Sequence, residues 1–526
     1  MIRKILTTLL LLICPYIAAQ ESDVELPDFV ITGKDIVNIG KTEKIPPDFI
    51  STISEIFLKP VFPTENLQMK EVNTPIKGSG ALADSLNYLT GSLNAGLGSY
   101  SLPKADLNFS SPFTNGIFEG FAAVDNTRAY VENSDRYLIN GGASLSLYTD
   151  DDASFLPGTQ FKFNGEYNTS AFKFFASDNP SFKRILNNGN AYFGMDNLMG
   201  KYFIFSAKLS DDNLDLKNES FTENIFDISG FAQLTLPAFD LGVEANYKKQ
   251  ILTNDYMSGN KINFLSTRPT MGISLSPLVN ITLGFNYQHS DSNNFFSPYA
   301  SMSIYFSKGL SLYGEYSPQA EFWGGEHFLQ SNDYFIAERF SNIFFKKNTA
   351  FSAALKYEYY TYVEINGGIK YYKSDNQPYF FDTTAGMFDL ATIEAKSYTA
   401  FVNLLFHPGP GGIFYATAEA NNTKDNNGNT VPYFPAAKVT FNYGYNFTND
   451  LETETNLTYL SGIHTAINSE NTLRPYINLG VKLGYQLFPD FYLTFKISNL
   501  INHNNYIWQG YKELPMDLTA GLNYRW

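Results

Sequence analysis

Apolar and polar residues alternate along most of this 526-residue chain, and the alternation is sharpest at its end. Residues 516–526 place Met, Leu, Ala, Leu, Tyr and Trp at every second position, with polar or small residues between them. Successive side chains of a strand point to opposite faces, so this pattern predicts strands with one apolar and one polar face. Similar runs of about ten residues follow one another from Ser92 onward, the length that a tilted strand needs to cross a bilayer.

The connections between these runs alternate between short and long. Short turns such as 277–280 and 448–451 separate longer polar loops, and the two longest predicted loops span 317–348 and 373–396. Short turns on one side and long loops on the other are typical of outer-membrane barrels, whereas a soluble sandwich or propeller has no reason to follow this rule. The sequence therefore predicts an all-β fold, a transmembrane antiparallel β-barrel of about 22 strands, an even number, over residues 92–526.

The start of the chain differs from the rest. Arg3 and Lys4 precede the short apolar stretch 5–13, and small residues follow, which predicts a signal peptide over residues 1–19. Residues 20–91 contain many prolines and little alternation, so we expect an extended periplasmic or lumenal segment there. The single cysteine, Cys14, lies in the predicted signal peptide, which leaves the mature chain without disulfides.

The composition narrows the range of functions. Charged residues are 17%, the chain has 46 Phe and 36 Tyr, and the formal net charge is −15, which argues against nucleic acid as a partner. The five histidines stand at unrelated spacings, and no zinc-ligand pair, nucleophile elbow or phosphate loop is present in the sequence. We therefore expect no enzymatic activity, no metal and no cofactor.

The carboxyl-terminal part resembles that of TonB-dependent receptors. The stretch 498–511, which includes Ser-Asn-Leu-Ile-Asn and Tyr-Ile-Trp-Gln-Gly-Tyr, followed by a strand that ends at Trp526, is similar to the closing hairpin of that family. The early segment 26–33, Leu-Pro-Asp-Phe-Val-Ile-Thr-Gly, is similar to the short box through which such receptors contact the energy-transducing protein. The resemblance implies a receptor-type barrel closed at Trp526, with Leu26, Asp28, Val30 and Thr32 as candidate partner-binding residues.

One departure from the family affects the functional interpretation. Receptors of this type carry a folded plug between the box and the barrel, but here only residues 34–91 are available, with few apolar residues. A barrel of this strand number has a wide lumen that is normally plugged. Three candidates could fill it: the segment 20–91, infolded loops such as 317–348, or a partner.

Charged residues on the predicted inner face and aromatic residues in the longest loops are the candidate functional residues. Lumen charges could form cross-strand ion pairs, or they could build a basic wall that binds an acidic plug segment or an anionic solute. Loop aromatics could stack on a ligand, or they could close the barrel mouth by packing against other loops. The candidates are the lumen charges Lys356, Glu358, Glu364, Lys370, Lys438, Lys482, Lys496 and Arg525, and the loop residues Phe322, Trp323, Tyr379 and Phe380.

These observations predict an integral barrel in the outer membrane of a Gram-negative bacterium that acts in transport or ligand uptake. The alternative is a non-transporting scaffold barrel that docks a periplasmic or surface partner. The expected partners are outer-membrane lipid and the barrel-assembly machinery, with a TonB-type protein or another periplasmic protein as a further candidate.

Overall fold

A computed structural model describes residues 91–150, 156–197, 202–236, 238–255, 258–291, 293–307, 309–359, 362–407, 412–448 and 450–526. The predicted signal peptide lies outside the described residues, as does the extended segment before Gly91 with its candidate residues Leu26, Asp28, Val30 and Thr32.

The described chain is built almost entirely from antiparallel strands. Strands β13 and β14 both pair with β15, so they occupy one position in the barrel wall. The small hairpin β23–β24 stands apart from the main sheet, which leaves a wall of 22 strand positions and confirms the predicted fold. The strands are β1 (Gly91–Gly98), β2 (Ser101–Phe113), β3 (Gly116–Thr127), β4 (Arg136–Tyr148), β5 (Gln160–Lys173), β6 (Lys183–Asn197), β7 (Phe203–Leu216), β8 (Phe221–Thr235), β9 (Asp240–Asn254), β10 (Asn260–Ser276), β11 (Val279–Ser290), β12 (Asn293–Ser307), β13 (Leu310–Tyr316), β14 (Gln319–Trp323), β15 (Ile343–Tyr359), β16 (Val363–Thr384), β17 (Met387–Phe406), β18 (Ile413–Asp425), β19 (Ala437–Thr448), β20 (Leu451–Ser461), β21 (Tyr476–Phe488), β22 (Phe491–Ser498), β23 (Tyr506–Trp508), β24 (Tyr511–Lys512) and β25 (Asp517–Arg525).

The barrel closes between its first and last strands. β25 pairs with β22 on one side and with β1 on the other, in the register Ser92 opposite Arg525. Gly91 N donates to Trp526 O at 2.9 Å, and Trp526 N donates to Gly91 O at 3.1 Å. Because every strand then has two neighbours, no unpaired edge faces the bilayer.

The two faces of the wall have the compositions that the alternation predicts. Leu97 and Leu522 point outward and are 60% and 53% exposed, as expected for side chains that face lipid. Inner-face neighbours are polar, for example Thr417 and Thr440, whose hydroxyl groups hydrogen-bond across β18 and β19 at 2.5 Å. No helix in the described ranges is long and apolar enough to cross a membrane.

The prediction of a loop over residues 373–396 is wrong. β16 and β17 continue through it as a hairpin of 22 and 20 residues, with a turn at Gly386, whose φ is +69°. Outside the bilayer an outward side chain need not be apolar, so the Lys, Ser, Asp, Asn and Gln residues of 373–377 hide the strand period. A bulge between Ser374 and Gln377 absorbs the irregular stretch.

The other long predicted loop, 317–348, is only partly irregular. It begins as β14 and ends as the start of β15. Between them lie a short helix, α1 (Gly325–Ser331), and a 3₁₀ turn (Ala337–Arg339). Residues 324–342 therefore form a compact connection, here called the crossing segment.

Candidate functional site: a cap over the barrel mouth

The end of the barrel with the long connections holds an apolar cluster that the wall itself does not require. Long connections face the exterior in outer-membrane barrels, so this is the extracellular mouth. The cluster joins the crossing segment to the tips of several strands and to the connection between β22 and β25. We call it the cap. Its buried residues are Leu214, Leu216, Phe221, Leu252, Phe328, Leu329, Phe335, Ala337, Phe340, Phe380, Phe388 and Tyr511.

The cap joins opposite sides of the mouth. The turn between β16 and β17 reaches the connection between β5 and β6, and these hairpins lie ten positions apart in the 22-position wall when β13 and β14 count as one. A Cβ atom built on Gly386 would lie 2.5 Å from Ala176 O, so the two connections touch. Tyr511 Oη also donates to Gly386 O at 2.6 Å, and its ring stacks on Tyr334 of the crossing segment.

A buried carboxylate anchors the helix of the crossing segment. Glu223, at the start of β8, is 1% exposed. It accepts hydrogen bonds from Gly325 N at 2.9 Å and Glu326 N at 2.8 Å, and from the side chain of Gln250. The first amide groups of a helix have no partners within the helix, so this carboxylate satisfies donors that would otherwise be buried unpaired.

Two arginines hold the middle of the crossing segment. Arg184 forms a bidentate ion pair with Glu219, and its Nη1 donates to Asp333 O at 2.7 Å. Arg136 pairs with the Asp333 carboxylate at 2.6 Å. Removing one member of the buried Arg184–Glu219 pair leaves the other charge uncompensated, which costs about 3–5 kcal/mol. The Arg136–Asp333 pair is partly exposed to solvent and contributes less. These arginines lie on β4 and β6. They therefore attach the crossing segment to strands that are far in the wall from β14 and β15, the two strands that the segment connects.

Glu513 adds a titratable group to the cap. It lies between β24 and β25, and burial raises the pKa of its carboxyl to about 7, with Asp333 raising it further and Arg136 opposing the shift. Tyr130 and Tyr334 lie near the same carboxyl, and burial raises the pKa of both phenols. Glu513 can therefore change its charge near neutral pH within the contact region between the crossing segment and β4.

The predicted loop aromatics lie within or beside the cap. Phe322 is 9% exposed and packs on Phe264 and Phe344, and Phe380 is a cap residue on β16. Trp323 packs on Phe345 with ring centroids 4.5 Å apart, and its Nε1 donates to Glu321 at 3.1 Å. Tyr379 lies on β16, half-buried, 6.3 Å from the ring of Phe381. These contacts are those of packing between connections at the mouth, and recognition of a ligand by these residues stays a prediction.

Most of the predicted lumen charges have opposite charges beside them on the inner face. Lys356 lies 3.4 Å from both Glu358 and Glu364, and Lys482 lies 3.9 Å from Glu454. The register places Lys438 opposite Glu419, and Lys370 Nζ lies over the ring of Phe401. Arg525 donates two hydrogen bonds, of 2.9 and 3.0 Å, to the carboxylate of Glu452.

Two of the lumen charges also face a like charge. Lys482 and Lys496 stand directly opposite each other on β21 and β22. Like charges at directly opposed positions destabilise a strand pair. Glu454 lies 3.9 Å from Lys482, so the two lysines have a carboxylate beside them. Binding of an acidic segment or an anionic solute at this point stays a prediction.

The sequence did not reveal the residues that hold the cap in place. Arg184, Glu219 and Asp333 come from three connections or strand ends, and the bonds of Arg184 span 35 and 149 positions of the chain. The only signal was a charged residue beside apolar residues, as at Arg184, which Ile185 and Leu186 follow, and one sequence contains many of these. Among the described residues, no group of three or more His, Cys, Asp or Glu side chains is placed to hold a metal ion.

Comparison with known proteins identifies the fold. No protein-family profile and no curated sequence matches the chain. Solved structures do: the FrpB iron transporter from Neisseria meningitidis (TM-score 0.61, 10% identity, 84% of this chain and 82% of that chain) and the ferric-catecholate import receptor Fiu from E. coli K12 (0.61, 10%, 84% and 82%). A mutant ferric enterobactin receptor PfeA from Pseudomonas aeruginosa also matches (0.59, 11%, 83% and 80%).

These likenesses identify the fold of the barrel, and the apolar outer face agrees with it. The chain has the barrel fold of outer-membrane receptors, which confirms the TonB-dependent-receptor-like architecture and the outer-membrane localisation predicted from the sequence.

Proposed function

We propose that this protein is a non-catalytic, gated barrel that takes up an extracellular ligand across the outer membrane. The observation that carries the proposal is the cap, which joins opposite sides of the mouth above a lumen lined with charged side chains. The wall closes without it, because β1 and β25 pair along their lengths. A structure that covers the mouth without holding the wall together has the properties of a gate. The named receptors and transporters of the same fold agree with this role.

Planar-bilayer conductance tests the gate. Phe335 and Phe388 are fully buried in the cap, so the double variant F335D/F388D places two unpaired charges there and should open it. We expect the wild-type chain to be silent and the double variant to give large, stable currents. A385D, at the exposed turn beside Gly386, is the matched control and should stay silent. A wild-type current equal to that of the double variant would rule out the cap as a gate.

The force that opens the gate is proposed to come from the periplasm. Leu26, Asp28, Val30 and Thr32 form the candidate box for a TonB-type protein, as the family resemblance implies. A peptide of residues 20–33 should bind a purified TonB-type carboxyl-terminal domain, and the V30P variant should weaken that binding because proline removes a strand hydrogen bond. Equal binding of both peptides, or of neither, would argue against this partner.

The second candidate is a scaffold barrel that never opens. The observation that favours it is the Arg184–Glu219 pair, whose side chains are 1% and 4% exposed and which makes opening costly. Flux of sugars of graded size into proteoliposomes separates the two functions. If neither the wild type nor F335D/F388D admits solute, the barrel is a scaffold, and its partners rather than its lumen define its role.

A further inference from the structure

A polar cavity of about 440 Å³ lies beside the cap, where the crossing segment rejoins the wall. Its walls come from the end of that segment, the first residues of β15 and the hairpin of β16 and β17. Cavities of this size match those that hold small ligands. The side chains that matter for recognition are Arg339, Asn342, Lys346, Asn376 and Asp389.

Asn342 gives this cavity its strongest chemical signal. Both Oδ1 and Nδ2 of its amide are buried and have no hydrogen-bond partner, and it is the only described side chain of which this is true. Both atoms have almost no accessible surface, so a small rotation of the amide is needed to bring them to the cavity. A buried polar atom without a partner costs about 1–3 kcal/mol, and an occupant that both donates and accepts would then recover that energy. A hydroxyl group does both.

The charges in the cavity specify the occupant further. Arg339 and Lys346 line it with no ion pair to any described residue, and Asp389 lines it with one oxygen bonded to Leu390 N at 2.8 Å. Two cations and one carboxylate make a cavity of net charge +1 in a chain of net charge −15. An anionic group would meet the two cations, and the second oxygen of Asp389 can accept from a hydroxyl group.

The wall of the cavity is held in place before any ligand arrives. Asn376 accepts from Lys346 N at 2.9 Å and donates to Phe344 O at 2.7 Å, which fastens the hairpin to β15. Phe340, on the other side, is anchored in the cap and its carbonyl accepts from Asn254 at 2.7 Å. Prearranged donors and acceptors reduce the entropy that binding must overcome.

We propose that this cavity binds an anionic sugar, with Arg339 and Lys346 on its acidic group and Asn342 and Asp389 on its hydroxyl groups. A sugar carboxylate and a sugar phosphate share this chemistry. Binding does not require passage through the barrel, so the proposal holds whether the protein is a transporter or a scaffold.

Calorimetry on the full-length protein in detergent tests the site with galacturonic acid, glucose 6-phosphate and neutral galactose. We expect at least one anion to bind roughly tenfold or more tighter than galactose, and the stronger anion identifies the acidic group. N342L and R339A should each weaken that binding by roughly tenfold. The matched controls N471A and R474A, in the exposed connection between β20 and β21, should bind as the wild type does.

Thermal unfolding separates a ligand site from a structural role. N342L keeps the size of the side chain and removes both unpaired atoms, so the unliganded variant should unfold at the same temperature as the wild type or higher. A large fall in its unfolding temperature would show that Asn342 supports the fold instead. Failure of both anions to bind the wild type at roughly 10 mM, or equal binding by N342L, would overturn the proposal.

Discussion

Arg184 and Glu219 form a bidentate ion pair at the rim of the barrel, and their side chains are almost fully buried. Arg184 also binds the backbone of Asp333, so this pair ties the crossing segment to β6. It therefore offers the most direct way to loosen the cap without touching the transmembrane wall.

Breaking this pair should release the crossing segment. R184M leaves Glu219 buried and uncompensated, which costs about 3–5 kcal/mol, whereas R184M/E219L removes both charges and should cost much less. Arg339 lies exposed within the segment, so trypsin cleavage there reports opening. We expect cleavage to be much faster in R184M than in the double variant. Equal rates would mean that the pair does not hold the cap.

Removal of the helix anchor should have a smaller effect of the same kind. E223A leaves the amide groups of Gly325 and Glu326 without an acceptor, a cost of about 1–3 kcal/mol. E223Q keeps a side-chain oxygen for these groups and should lie between the wild type and E223A. The measurement is again the rate of trypsin cleavage after Arg339, and an E223A rate equal to that of the wild type would contradict the anchoring role.

The cap should weaken as the pH rises. The pKa of Glu513 is raised to about 7 in the capped state, so that state favours the protonated carboxyl. Its contribution is complete below the carboxyl's ordinary pKa of 4.5 and is lost as the pH rises through about 7. Trypsin sensitivity should increase over this window in the wild type, and E513Q, which stays neutral, should flatten the profile. A pH profile unchanged by E513Q would assign the effect to other groups.

Barrel closure should depend on the absence of a side chain at Gly91. A Cβ atom there would collide with the indole of Trp526, so G91V should hinder pairing of β1 with β25. Gly165, on the outer face of β5, has no atom within 4 Å of a built Cβ, which makes G165V the matched control. Heat-modifiable migration on a denaturing gel measures the folded fraction, which we expect to fall for G91V alone.

The opposed lysines should influence ion selectivity once the mouth is open. In the F335D/F388D background, K496E turns a repulsive pair with Lys482 into an attractive one and should stabilise that strand pair by about 0.5 kcal/mol. The reversal potential in a salt gradient should shift toward cation selectivity. An unchanged potential would indicate that ions pass far from these side chains.

The sequence predicted the wall far better than the cap. Strands such as β19 and β25 alternate strictly because lipid requires an apolar outer face and a hydrated lumen tolerates a polar one. That requirement ends above the bilayer, where β16 and β17 continue with mixed residues and the prediction of a loop failed. The cap depends on contacts between residues that are distant in the sequence. An example is the hydrogen bond from Tyr511 to Gly386, which lie 125 positions apart, and no local pattern encodes such a contact.

The union of the β16–β17 turn with the β5–β6 connection has a consequence for the cell that carries this protein. The described residues that form this seal belong to the same stretch of chain that forms the wall. A bacterium whose protein keeps the predicted signal peptide but lacks residues 20–90 should therefore keep its resistance to large antibiotics, because the described cap folds from the same part of the chain as the barrel wall.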